Sequence, residues 1–146
     1  VFDQGLGDLF VIRVAGNIVA PSQIGSVEFA AAQFGTRLVV VLGHSNCGAI
    51  RATIEELQRP PVEQSKNLRA IVDRVRPAVQ PLMHLGYSED KLVEEGVRSN
   101  ILITASQLRH GSEILERLIE KDGLMVVGAH YSLDTGVVDF FDVPAA

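Results

Sequence analysis

Leu38-Val39-Val40-Val41-Leu42-Gly43-His44-Ser45-Asn46-Cys47-Gly48-Ala49 is the stretch that decides the fold. Its first five residues are apolar at every position and mostly β-branched. Such a run predicts a strand covered on both faces, as in a parallel sheet. Gly43 to Gly48 follows as a tight loop, and a helix is expected from about Cys47 to about Leu57, broken by Pro60-Pro61. Strand, short loop and helix in that order mark an α/β unit. In open α/β sheets the functional site gathers at the carboxyl ends of the strands. His44 and Cys47 fall at that end.

Working outward, Leu9-Phe10-Val11-Ile12-Arg13-Val14 reads as a second buried strand, closed by the turn residues Ala15-Gly16-Asn17. Ile24, Val27, Ala31 and Phe34 recur at spacings of three and four, the apolar face of a helix that Gly35 is placed to end. From Ser65 to about His110 the pattern is mostly helical. One stripe runs through Leu68, Ile71, Val72, Val75 and Val79, with Pro77 and Pro81 disturbing its end. A second runs through Val93, Val97, Ile101 and Leu108, with Ser88 as its cap. A short helix carries Ile114, Leu115, Leu118 and Ile119. Leu124-Met125-Val126-Val127-Gly128-Ala129 predicts a buried strand, and Asp134-Thr135-Gly136 turns it into a final hairpin strand, Val137-Val138-Asp139-Phe140-Phe141. The expected fold is therefore α/β: a mostly parallel sheet flanked by helices, with an antiparallel C-terminal edge strand.

The 146 residues suit one domain, and the sequence opens at Val1, without Met, inside what reads as ordered protein. The expectation is a single domain over residues 1–146 that is incomplete at its N-terminus. A net charge of −5 without a Lys/Arg run argues against nucleic acid as a partner. The apolar runs are too short to cross a bilayer. With no targeting pattern visible, the cytoplasm is the default expectation. The single cysteine excludes an intrachain disulfide.

Cys47 at a helix start meets free N–H groups and a dipole that favour a thiolate. His44 precedes it by one short loop. Imidazole with thiolate is a donor pair that suits zinc. The spacing by itself leaves other readings open: a Cys–His nucleophile pair, or inert packing of the cysteine. Two donors are also fewer than the roughly three or four protein groups that zinc sites use. His84, His110 and His130 read as surface or structural histidines.

The wider context narrows the choice. Gly43-His44-Ser45-Asn46-Cys47-Gly48-Ala49, behind its apolar strand, resembles the second zinc-ligand motif of the β-class carbonic anhydrases. Three further blocks resemble that family in the same order: the strand and turn from Gly7 to Asn17, Gly25-Ser26-Val27-Glu28-Phe29-Ala30 in the next helix, and Val127 to Gly136 near the end. The resemblance implies that His44 and Cys47 are ligands of Zn2+. It implies that Phe10, Ala15 and Phe29 line an apolar pocket for carbon dioxide, although in isolation core packing is the preferred reading of those three. Gly48 matches a position whose backbone N–H faces bound anion. In the family the third ligand is the cysteine of a Cys-x-Asp-x-Arg motif, whose Asp–Arg pair serves catalysis. The matching positions would precede Val1, so no catalytic residue is assigned.

The implied reaction is reversible hydration of carbon dioxide to bicarbonate, in a homodimer or higher homo-oligomer, with this chain alone inactive. A hydrolase of carbon disulfide or carbonyl sulfide on the same fold is one alternative. A non-catalytic anion-binding or scaffold member is another.

Overall fold

A computed structural model describes residues 1–59 and 65–144. The break expected at Pro60-Pro61 lies outside the described residues. The elements, in chain order, are a 3-10 turn Ala15–Asn17, helix α1 (Pro21–Gln33), strand β1 (Leu38–His44), helices α2 (Gly48–Gln58) and α3 (Lys66–Val79), a second 3-10 turn Gln80–Leu82, helices α4 (Glu89–His110) and α5 (Glu113–Asp122), and strands β2 (Met125–Tyr131) and β3 (Val138–Asp142).

Local chemistry explains the boundaries. The hydroxyl oxygens of Ser65, Ser88 and Ser112 accept from the backbone N–H groups of Asn67, Lys91 and Leu115, capping α3, α4 and α5. Glu89 and Asp90 then sit in the first turn of α4, where the helix dipole favours negative charge. Gly123 ends α5 at φ 69°, a left-handed conformation that costs glycine little. Pro77 is accommodated within the last turn of α3.

The sheet has the order β1-β2-β3. β1 and β2 are parallel, in register from Leu38 opposite Met125 to His44 opposite Tyr131. β3 pairs antiparallel with β2 at the edge. The α/β class and the antiparallel C-terminal strand agree with the sequence reading. Helix α4 is the centre of the packing and touches β1, β2, α2, α3 and α5. Its apolar face, with Val93, Val97, Ile101, Ala105 and Leu108, is buried against them. Ile101 reaches both strands. A Cβ on Gly43 would lie 2.6 Å from its Cδ1, and one on Gly128 would lie 2.9 Å from its Cγ2. Only residues without side chains let α4 come so close.

Four expectations need correction. Residues 9–14 are not a buried strand: they pair with no strand among the described residues, and Leu9, Phe10, Val11 and Ile12 are exposed. An apolar run becomes a strand only where a neighbour takes its N–H and C=O groups, and none flanks this one. Phe34 sits on the helix periodicity yet is 65% exposed, because the chain leaves α1 there. Leu68, read into the stripe of α3, is also exposed. In β1 only Val41 and Gly43 are fully buried, so the two-sided coverage read from its composition is partial.

The outer edge of β1 has no partner among the described residues. Together with the exposed apolar residues 9–12 it presents the kind of edge that pairs with other chains. The isolated chain is expected to self-associate or aggregate, measurable by light scattering behind size exclusion. A monodisperse monomer that unfolds cooperatively would contradict this. Among the described residues no helix is long and apolar enough to cross a membrane.

Candidate metal centre

His44 closes β1 and Cys47 is the N-cap of α2, so both stand where strand gives way to helix. The loop between them is held from the β2 side. Ser45 N–H donates to the Tyr131 carbonyl (3.0 Å), and Ser45 Oγ accepts from Leu133 N–H (2.9 Å). These bonds extend the β1–β2 register past the last ladder pair. Asn46 takes φ 55°, a left-handed position that Asn tolerates and that turns the chain sharply into the helix.

His44 Nδ1 lies 2.9 Å from the carbonyl oxygen of Ser45. A carbonyl only accepts, so Nδ1–H is the donor in this contact, and in the neutral ring Nε2 is the nitrogen that carries the lone pair. Histidine ligands are commonly oriented in this way. The ring is exposed, whereas Cys47 is buried with a free thiol. The Cys47 side chain caps no backbone group. The first N–H groups of α2 have no intrahelical acceptor, as at any helix start. Gly48 is the first residue of that turn. It is exposed, with open space where a Cβ would stand.

The donor types, one imidazole nitrogen and one thiol sulfur, fit zinc. Their number does not complete a site. Among the described residues no three His, Cys, Asp or Glu side chains are grouped to hold a metal ion. The sequence carries no second cysteine.

The other positions fall in two places. Phe10 and Phe29 both meet Phe34, with ring centroids 6.0 Å and 5.5 Å from it, the second pair edge-on. All three rings are about half exposed or more. They form an open aromatic cluster rather than a core. Ala15, also exposed, opens the 3-10 turn. Sequence reasoning missed Phe34 as the ring that joins Phe10 to Phe29, since its helical spacing pointed inward.

His84 and His110 are exposed, as the sequence suggested. His130 has more character. It stands in β2, opposite Gly43 of β1 on one side and Asp139 of β3 on the other. Its Nε2 is buried without a hydrogen-bond partner among the described residues. Burial pushes its pKa below the ordinary 6.5, and the Arg98 guanidinium pushes the same way, while Asp139 and Glu94 act against them. Arg98 is itself held by Asp139 Oδ2 (3.2 Å from both terminal nitrogens) and lies over the Phe141 ring. The folded state thus prefers neutral His130, and the unfolded chain takes up the proton first. Stability contributed by His130 is full above about pH 6.5 and is lost progressively as pH falls from there through the lower pKa of the folded state. Urea midpoints measured from pH 7.5 to 5 should drop less steeply for His130→Gln than for the parent chain. Identical pH slopes would contradict the assignment.

A parallel strand pair whose first strand ends in a histidine, with a cysteine at the start of the next helix, defines the class: an α/β protein with an imidazole and a thiol at the carboxyl end of its sheet. Comparison with known proteins is consistent with that class. The family model described as carbonic anhydrase matches residues 1–138, and the chain belongs to that family. A carbonic anhydrase of Mycolicibacterium smegmatis is 36% identical over 139 residues, spanning 95% of this chain and 66% of the relative. A carbon disulfide hydrolase of an Acidianus species is 30% identical over 145 residues, spanning 91% of this chain and 67% of the relative. Among solved structures, a β-carbonic anhydrase of Sordaria macrospora, described as tetrameric, superposes with a TM-score of 0.81. It is 21% identical and spans 97% of this chain and 72% of that one. This last likeness shows the β-carbonic anhydrase fold. The chain spans slightly less than two thirds of the length of the mycolicibacterial relative.

Proposed function

We propose that His44 and Cys47 are two protein ligands of a zinc centre for the reversible hydration of carbon dioxide, and that this chain alone lacks appreciable activity. The observation that carries the reading is the paired placement at the end of β1. His44 Nδ1 is tied to the Ser45 carbonyl, leaving Nε2 free, and Cys47 stands at the start of α2. Zinc, when bound, supplies Lewis acidity that activates water near neutral pH. The chain's own residues bind and orient. Ser45 fixes the ligand loop to β2. Gly48 offers a backbone N–H to an anion such as bicarbonate. Phe10, Ala15 and Phe29 contribute an apolar wall for carbon dioxide, and the openness of that wall fits a pocket only partly built from these residues.

Assembly as a homodimer or larger homo-oligomer belongs to the same proposal. The exposed aromatic cluster and the free edge of β1 support it. A cytoplasmic setting is proposed only as the default already drawn from the sequence.

The ligand assignment is tested with cobalt(II) as a coloured substitute for zinc. Weak binding is expected, with a thiolate-to-cobalt absorption that disappears in Cys47→Ser and a weaker affinity in His44→Ala. Unchanged cobalt binding in both variants would remove the reading. The Acidianus relative supports one alternative, hydrolysis of carbon disulfide at the same centre. The mycolicibacterial relative is more similar over a comparable span, which favours carbon dioxide. A non-catalytic anion-binding or scaffold role has no observation of its own in its favour.

A further inference from the structure

We propose that Asn100 is a positioning residue for this centre, setting the Ala15–Asn17 turn against the helix start that carries Cys47. The inference rests on the reading of His44 and Cys47 as ligands. Asn100 is 1% exposed on α4, and its Nδ2 donates to the carbonyl of Gly16 at 2.6 Å. That bond spans 84 positions of sequence. Gly16 and Asn17 both adopt left-handed backbone angles, φ 69° and 40°. A Cβ on Gly16 would lie 3.2 Å from the Ala49 methyl and equally close to Val75 Cγ2. The turn is therefore pressed directly onto the first turn of α2, two residues beyond Cys47. Its first residue is Ala15, the expected substrate wall.

The same stretch of α4, residues 96–101, meets the ligand loop on its other sides. Gly43, the residue before His44, packs on Ile101 and Val97. A Cβ on Gly96 would lie 2.9 Å from Ile50 Cγ2, just after Cys47. Three segments bearing site residues thus rest on less than two turns of one helix. The contacts of Gly43, Gly96 and Gly16 are apolar and non-directional, so they fix separation more than orientation. The Asn100 bond is directional and shielded from water, and its loss leaves a buried carbonyl unpaired. It orients the wall relative to the Cys47 thiol.

Hydrogen exchange on the full chain, followed by mass spectrometry, tests this without metal, so a failed ligand assignment and a failed positioning role give different results. Asn100→Leu removes the donor at similar volume, Asn100→Asp replaces it with an acceptor, and Asn100→Gln keeps the carboxamide. In the Leu and Asp variants, segments covering residues 14–18 and 45–52 should exchange about tenfold faster. Segments of α5 and β2 should change much less, and Gln should recover part of the protection. Uniform loss of protection throughout, failure of all three variants to fold, or no change near residues 14–18 and 45–52 would each overturn the proposal.

Discussion

Truncating Ile101 to alanine is expected to lower the stability of the chain by about 2–5 kcal/mol, the range for a buried aliphatic side chain. Ile101 is fully buried. It packs on Gly43 in β1 and on Gly128 in β2, and neither glycine has a side chain to follow it into a cavity. The methylenes removed lose their transfer energy, and the void persists because both strands are held by their ladder. Gly43 precedes His44, so the loss falls on the ligand loop as well as on the core. Urea midpoints of parent and Ile101→Ala chains, compared at equal protein concentration because association shifts apparent stability, measure the effect. A change below about 1 kcal/mol would mean that the helix collapses onto the strands. In that case the close contact of α4 with the sheet would not be the main brace of the site.

Much of this arrangement was legible in the sequence. The unbroken apolar run of β1 and the hairpin signal at Asp134-Thr135-Gly136 gave the strand assignments that the structure keeps. Ser88, followed by two acids, marked the start of α4. These features are local: a residue's own backbone preference or its nearest neighbours decide them. What failed depends on partners far away in sequence. Residues 9–14 have the composition of a strand, but composition carries no information about a neighbouring ladder. Phe34 shares the spacing of Val27 and Ala31, yet only those two face the core.

At the site, His44 and Cys47 could be picked out because a short loop keeps them adjacent. Asn100 could not, because its acceptor, Gly16, lies in another segment. His130 was set aside as structural, and only the packed sheet shows its buried, unpartnered nitrogen.

The second large effect concerns function, and it follows from counting donors. A zinc ion held by two protein groups keeps most of its coordination sphere for water and exchanges readily, whereas sites with roughly three or four protein ligands retain their metal. Among the described residues His44 and Cys47 have no third partner. The aromatic wall of Phe10 and Phe29 also stands open. On the proposed reading, weak retention of metal and an exposed substrate wall each lower turnover, and together they predict a rate indistinguishable from buffer.

The most direct test incubates the purified 146-residue chain with zinc, dialyses it, and determines zinc by elemental analysis alongside carbon dioxide hydration by stopped flow. Zinc far below one per chain, with hydration at the buffer rate, is the expected result. One zinc per chain with robust turnover would contradict the view that these residues supply only part of the centre.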